Sequence, residues 1–295
     1  LRSQGFLMAQ LAVFVLDTLY SVAVLVLISA GLGIIFGMVR VINLAHGEFL
    51  VLGGYSAITA HGLGLNIWLS MLVVAPLVVG MFGVVVERLI IRPLYGRLVN
   101  TMLATWGLSL VMVGGLNMIF GNTTTGIPLP VGGFSVGGYQ VSGYNLLLLV
   151  LAALQMFVIW LVLACTRFGL LACGTMQNAS MSAAFGVNSS RVYMLTFACG
   201  AALSGLAGGV LAPLIGLTPG GGANYIAKAF ITVISGGASV VSGLVASAGL
   251  FGTVSQIFTA VATPIAGELA LLVVAILLLR ALPSGISGRY FRNRI

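Results

Sequence analysis

The sequence predicts an all-α fold, a polytopic membrane helical bundle of about eight to ten helices including broken or re-entrant segments. Three observations predict it. The chain is 60% hydrophobic, with 12 Lys or Arg and 4 Asp or Glu among 295 residues and a mean hydropathy of +1.20. Soluble domains carry about 25% charged residues. Apolar runs recur along the whole length, so composition marks no soluble segment, and residues 1–295 read as a single transmembrane domain. Finally, consecutive glycines interrupt apolar stretches that would otherwise cross a bilayer.

About 20 apolar residues span the hydrocarbon core of a bilayer. Leu7 to Phe36 supplies the first span and is long enough to remain in the membrane. Phe49 to Ala60 is short for a crossing. Ile67 to Val86, Thr101 to Phe120, Tyr144 to Cys165 and Val192 to Ile215 are the next spans. Ala227 to Ala262 holds two shorter helices, and Leu269 to Leu282 closes the bundle. Gly33 and Gly37, and again Gly205 and Gly209, have the spacing that lets helices approach closely. Pro219-Gly-Gly-Gly222 and Ser235-Gly-Gly237 break helices instead. Broken helices at membrane depth survive only inside protein or beside a wet cavity.

The +8 balance does not point to nucleic acid, because the arginines sit in short loops rather than along one face. Arg88, Arg92 and Arg97 mark one cytoplasmic loop, Arg167 and Arg191 bracket another, and Arg289, Arg292 and Arg294 mark the tail. The uncharged loop Gly121 to Gly143 then faces outside. With a cytoplasmic N-terminus, the region Asn43 to Ala60 must be re-entrant.

Chemistry has little to work with. Cys165, Cys173 and Cys199 lack CxxC spacing and read as small apolar fillers. Lys228, the single lysine, is not preceded by a Walker A glycine loop, so any ATP must be bound by another subunit. His46-Gly-Glu48 is not a zinc-hydrolase motif, and His61 reads as interfacial. Neither a catalytic residue, a cofactor site nor a metal site is expected.

What stands out is Arg40-Val-Ile-Asn-Leu-Ala-His46-Gly-Glu48, a polar cluster between two apolar runs. An ionisable group at the bilayer centre costs on the order of 2.5–3.5 kcal/mol, so Glu48 should face protein or water. It could pair with His46 or Arg40 or reach amides at a restarting helix. The competing reading makes Asn43 a cap and Glu48 a stabiliser of the helix's positive end. A second place is Phe168 to Arg191, cytoplasmic by arginine count yet built mostly of small residues. Gln177, Asn178, Ala179 and Ala183, with Gly186 as a stop, suit short helices that dock into a groove on a partner.

Together these residues resemble the permease subunits of branched-chain amino acid and urea-type ABC importers. The resemblance covers nearly the whole chain. It is carried by Gly31 to Phe49, Glu87 to Arg97, Leu103-Ala-Thr-Trp-Gly-Leu-Ser109, Gln177-Asn178 through Gly186-Val187, Lys228-Ala-Phe and Val233-Ile-Ser-Gly-Gly237. It implies a heteromeric importer in a bacterial cytoplasmic membrane: two ATP-binding subunits, a homologous second permease and a periplasmic or extracellular solute-binding protein. It further implies that Gln177, Asn178, Ala179, Ala183 and Gly186 contact the ATPase. Where such permeases carry charge around the Asn, this chain reads Met176-Gln-Asn-Ala-Ser180, so coupling would rest on shape and hydrogen bonding. Tyr95-Gly-Arg97 and Thr101 to Gly107 resemble the urea and short-amide branch, leaving both substrate classes open. A pore for a zwitterion or urea needs polar groups without a strong charge trap. Asn43, His46, Glu48, Thr105, Thr232 and Ser235 are the expected pathway residues. The rival class is a passive channel or secondary carrier for a small neutral solute.

Overall fold

The computed structural model describes residues 2–136, 139–237 and 239–290. Helix α1 (Arg2–Ile34) continues through a π-helical turn (Ile35–Val39) and stops at Arg40, whose backbone is left-handed at φ 53° and whose amide still reaches the Phe36 carbonyl at 3.1 Å. Helix α2 (His46–Gly62) follows a non-helical link. Next, α3 (Ile67–Leu69), a π-turn, α4 (Ala75–Val86), a second π-turn and a 3-10 turn form one continuous segment to Leu94. The two π-turns each end just before a proline, Pro76 and Pro93, which lacks an N–H and crowds the carbonyl four residues back.

Helix α5 (Leu98–Phe120) ends at Gly121, and a hairpin of β1 (Gly133–Val136) and β2 (Tyr139–Ser142) pairs Phe134 with Val141. This hairpin falls in a stretch read above as a plain loop. Its signal was two short alternating runs around Gly137-Gly138. Then come α6 (Gly143–Cys165), α7 (Arg167–Gln177), α8 (Ala179–Ala184), α9 (Ser189–Leu211), α10 (Ala223–Gly236), α11 (Ser242–Val261), α12 (Pro264–Ala281) and α13 (Gly285–Tyr290). Side chains start four of these helices. Thr166, Asn178, Asn188 and Thr263 accept the amides of Gly169, Met181, Arg191 and Ala266 at 3.1, 3.0, 3.1 and 3.2 Å. The cap at Thr263 with Pro264 behind it sets the last long helix five residues earlier than hydropathy alone suggests.

Seven stretches are long and apolar enough to cross a membrane, from Gln10–Val39 through Pro264–Gly288. Every span expected above falls within or overlaps one of them. Of the two helices expected in Ala227 to Ala262, α11 is long enough to span at 20 residues, whereas α10 has 14. The tail arginines Arg292 and Arg294 lie outside the described residues.

The chain divides into two compact units. One contains residues 1–26, 129–156 and 231–295; the other contains 27–128 and 157–230. In the first, α11 packs on α12, and the Ser287 hydroxyl accepts the Ser239 amide at 2.9 Å. The second is organised around α9, which lies against α4 and α2. Its core joins Ile35, Val79, Val86, Ile91 and Met112 to Phe49, whose ring stands edge-on to Phe82 and Phe197 at centroid distances of 5.6 and 6.3 Å.

Glycine makes this packing possible. A Cβ at Gly208 would collide with the Leu50 carbonyl, and one at Gly205 would lie 2.7 Å from the Ala75 carbonyl. The predicted Gly205/Gly209 pair thus meets the Met71 to Val79 segment, and Gly208 meets α2. Gly208→Ala is expected to destabilise the protein by about 1–3 kcal/mol through overpacking. The thermal midpoint in detergent checks this, with Gly249→Ala, which meets open space inside α11, as the control that should hold or rise. Arg40→Gly should move the midpoint the other way, since the left-handed backbone costs a non-glycine residue roughly 1–2 kcal/mol.

Candidate functional site

The polar interior of the second unit is assembled where α1 breaks. From Arg40 to Ala45 the backbone is non-helical, and its polar groups need partners from elsewhere. Thr105 on α5, fully buried, accepts the Leu44 amide at 3.1 Å while its hydroxyl lies 2.9 Å from the Thr101 carbonyl. Asn43 accepts the Ala45 amide at 3.0 Å through Oδ1, one residue before the helix proper. Its Nδ2 is buried without a partner among the described residues.

His46 opens α2 with no exposed surface. Its Nε2 donates to the Ile28 carbonyl at 2.8 Å, and Nδ1 lies 3.2 Å from the Ser204 hydroxyl. Both ring nitrogens are therefore committed, and the side chain ties α2 to α1 and α9. Glu48 does not use either of the partners considered for it, His46 or Arg40. Its carboxylate, 3% exposed, accepts from the Ser109 hydroxyl at 3.4 Å through Oε1, and Oε2 has no partner among the described residues. Gly222, the last glycine of the Pro219 to Gly222 break, covers it: a Cβ there would lie 2.6 Å from Oε1.

Asn43, His46, Glu48 and Thr105 thus lie together in one unit. Thr232 and Ser235 belong to the other, on α10. Both are fully buried; the Thr232 carbonyl accepts from Ser247 at 2.7 Å, and the Ser235 hydroxyl is among the buried groups without a partner. Of the loop residues, Gln177 ends α7, Asn178 caps α8, Ala179 and Ala183 lie on α8, and Gly186 follows it at φ 81°. The Ser189 hydroxyl holds the Ala179 carbonyl at 3.3 Å, which fastens α8 to the start of α9.

Sequence reasoning passed over two features. Ser109 and Gly222 are ordinary residues in the sequence, and only the fold brings them to Glu48. The second feature is Glu87, fully buried, which receives Arg92 at 2.9 Å and the Tyr95 hydroxyl at 3.0 Å; this is the one ion pair found among the described residues. Burial first, then the Glu87 carboxylate, push the Tyr95 phenol up. Tyr95 also packs on Tyr193 of α9, with ring centroids 5.1 Å apart. The spacing of Glu87, Arg92 and Tyr95 around Pro93 was the available signal.

No group of three or more His, Cys, Asp or Glu positioned for a metal occurs among the described residues. An apolar groove of about 350 Å³ lies between Ile34, Leu72, Val158, Phe168 and Leu203, and no side chain lining it carries a nitrogen or oxygen.

Seven apolar helices with a buried polar interior define a multi-pass membrane protein. Residues 14–282 match the family described as branched-chain amino acid transport system, permease component, and the chain belongs to that family. It is 30% identical over 284 residues to the high-affinity branched-chain amino acid transport system permease protein BraD of Pseudomonas aeruginosa, covering 89% of this chain and 91% of that protein. Identity to LivH of Escherichia coli is 25% over 287 residues, covering 89% and 91%. Identity to the probable LivH of Methanocaldococcus jannaschii is 27% over 282 residues, covering 90% and 88%. These relatives are transport permease components rather than enzymes. A solved structure, PsaBC from Streptococcus pneumoniae in complex with Fab, matches with a TM-score of 0.52 at 12% identity, covering 96% of this chain and 95% of that one, and shows the shared fold.

Removing the imidazole in His46→Ala takes the second hydrogen bond from the Ile28 carbonyl, cuts the link to Ser204 and opens a cavity, so a loss of about 2–4 kcal/mol is expected. His61→Ala, at an exposed ring bonded only to the Leu65 carbonyl at 3.1 Å, should change stability by less than about 0.5 kcal/mol. Detergent melting of the two variants tests the difference.

Proposed function

We propose that the chain is the membrane permease subunit of a binding-protein-dependent ABC importer. It moves branched-chain amino acids, or urea and short amides, into the cytoplasm across a bacterial cytoplasmic membrane. Two separate ATP-binding subunits energise it, a homologous second permease completes the pathway, and a solute-binding protein delivers the substrate. The transport systems to which the similar permeases belong favour branched-chain amino acids.

The observation that carries the energised reading over a passive channel is α8. It is uncharged, yet it exposes Met181 at 57%, and Phe185 directly after it at 81%, between the arginines that mark the cytoplasmic face. Large apolar groups offered to water on a capped, tethered helix suit a groove on a partner. In this mechanism, closure of the ATPase dimer pushes α8, and the Ser189 to Ala179 bond and the Tyr193 to Tyr95 contact pass the movement to α9 and the Glu87 network. The pathway then opens to the other side.

Gly186 sets the direction in which α8 leaves, since φ 81° is strained for any side chain although the space beside it is open. Gly186→Val should insert normally but lose transport and substrate-stimulated ATP hydrolysis by at least about tenfold in the reconstituted complex. Normal stimulation would count against the reading. Solute uptake by the purified chain alone in liposomes would favour the channel.

A further inference from the structure

We propose that the apolar groove of the second unit holds one acyl chain of an anionic glycerophospholipid, whose phosphate is gripped by Arg40 and Arg167. Such a site stands apart from the transported solute and holds whichever solute the protein carries.

Five segments wall the groove, all within the second unit. They are the end of α1 with its π-turn, the segment around Pro76, the second half of α6, the start of α7 at Phe168, and α9 from Cys199 to Leu206. The volume of about 350 Å³ falls within the ~300–1,000 Å³ of small-molecule sites. With no nitrogen or oxygen on any lining side chain, those side chains offer an occupant dispersion contacts and no strong hydrogen bond. Cys199 to Leu206 is about 10 Å of helix, against ~15 Å for one leaflet of the ~30 Å hydrocarbon core. The occupant that fits is a hydrocarbon chain entering from a single leaflet.

One end of the groove carries positive charge. Gly169 lies against the Val162 and Leu163 carbonyls, so α7 folds back over the end of α6, and α7 also packs on the π-turn of α1. Met38 and Phe168 thus line the same end. Arg40 follows Met38 by two residues, Arg167 directly precedes Phe168, and both arginines are exposed. Two residues of chain span at most ~7 Å, so both side chains start within their own length of that end. Neither belongs to the ion pair found among the described residues, which joins Arg92 to Glu87. Guanidinium groups bind phosphate oxygens bidentately, and basic pockets between spanning helices take anionic head groups. A zwitterionic head group would bring its own cation to two arginines.

Arg40 supplies an independent argument. It is the one non-glycine residue with positive φ among the described residues, at 53°. Glycine would adopt that backbone without strain. Strain of this kind persists at binding sites and ligand clamps, where the side chain is needed, and no ion pair within the described residues accounts for it here.

The test uses the full chain in detergent, alone and within the importer complex. The probe is a phosphatidylglycerol with a photoactivatable diazirine midway along one acyl chain, and mass spectrometry locates the adducts. These are expected on α6 between Val158 and Leu163 and on α9 between Cys199 and Leu206. Excess unlabelled phosphatidylglycerol should reduce them at least about fivefold, and excess phosphatidylcholine less than about twofold. In the double variant Arg40→Gln/Arg167→Gln the two lipids should compete equally. Val158→Trp, which fills the groove from a position 44% exposed, should lower the adducts at least about fivefold. A cooperative melt without added lipid checks that this variant is folded. Added phosphatidylglycerol should then raise the thermal midpoint of the wild type and leave that of Val158→Trp unchanged.

Equal competition by both lipids in the wild type would overturn the proposal, as would a preference for phosphatidylglycerol that survives loss of both arginines. Adducts spread over all the exposed helix faces, which no competitor reduces, would mean bulk lipid only and reject the site. Adducts present on the lone chain but absent from the complex would assign the groove to another subunit and reject it too.

Discussion

The second unit depends on one constraint: inside a bilayer, every backbone amide and carbonyl must find its partner within the protein. The chain nevertheless leaves helical geometry between Arg40 and Ala45. That is sustainable because Thr105 reaches across from α5 to take the Leu44 amide and Asn43 takes that of Ala45. Those partners stay in place only because α9 presses its glycine backbone directly against α2 and α4. Loosening that contact would expose the break, so packing and polar satisfaction stand or fall together here.

The same arrangement explains the uneven use of polar groups. His46 acts as a staple whose two nitrogens join three helices, which is structural work for a residue type often read as chemical. Two residues on, Glu48 is half used, with Ser109 on one oxygen and a bare glycine backbone beside it. Two neighbours in one short motif thus serve different ends. The difference lies in which helices their side chains meet, not in their own chemistry.

A related division separates the membrane interior from the arginine-rich loop. The interior relies on neutral hydrogen bonds and glycine contacts, as insertion energetics require. Near the arginine-rich loop, the buried Glu87 gathers Arg92 and Tyr95 and, through Tyr95, touches Tyr193. This rigid corner and the tethered α8 both act on α9. The long glycine-bearing helix is therefore the common element between the loop side and the polar interior.

The sequence by itself determined the class, the spans and the punctuation. Hydropathy located the long helices, Pro219-Gly-Gly-Gly222 and Ser235-Gly-Gly237 marked where helices end, and the run from Arg40 to Glu48 was legible as an anomaly because charge is so scarce in this chain. These are local properties, read from residues a few positions apart. Tertiary structure alone decided which partners the anomaly has. Ser109 lies 61 residues from Glu48, Ser204 lies 158 residues from His46, and Gly222 touches both Gly47 and Glu48. No periodicity encodes such pairs, because they arise when separate helices are brought close enough for one side chain to reach another's backbone. Glu48's place in the motif could be read along the chain, whereas its unpaired oxygen could be found only in the packed helices.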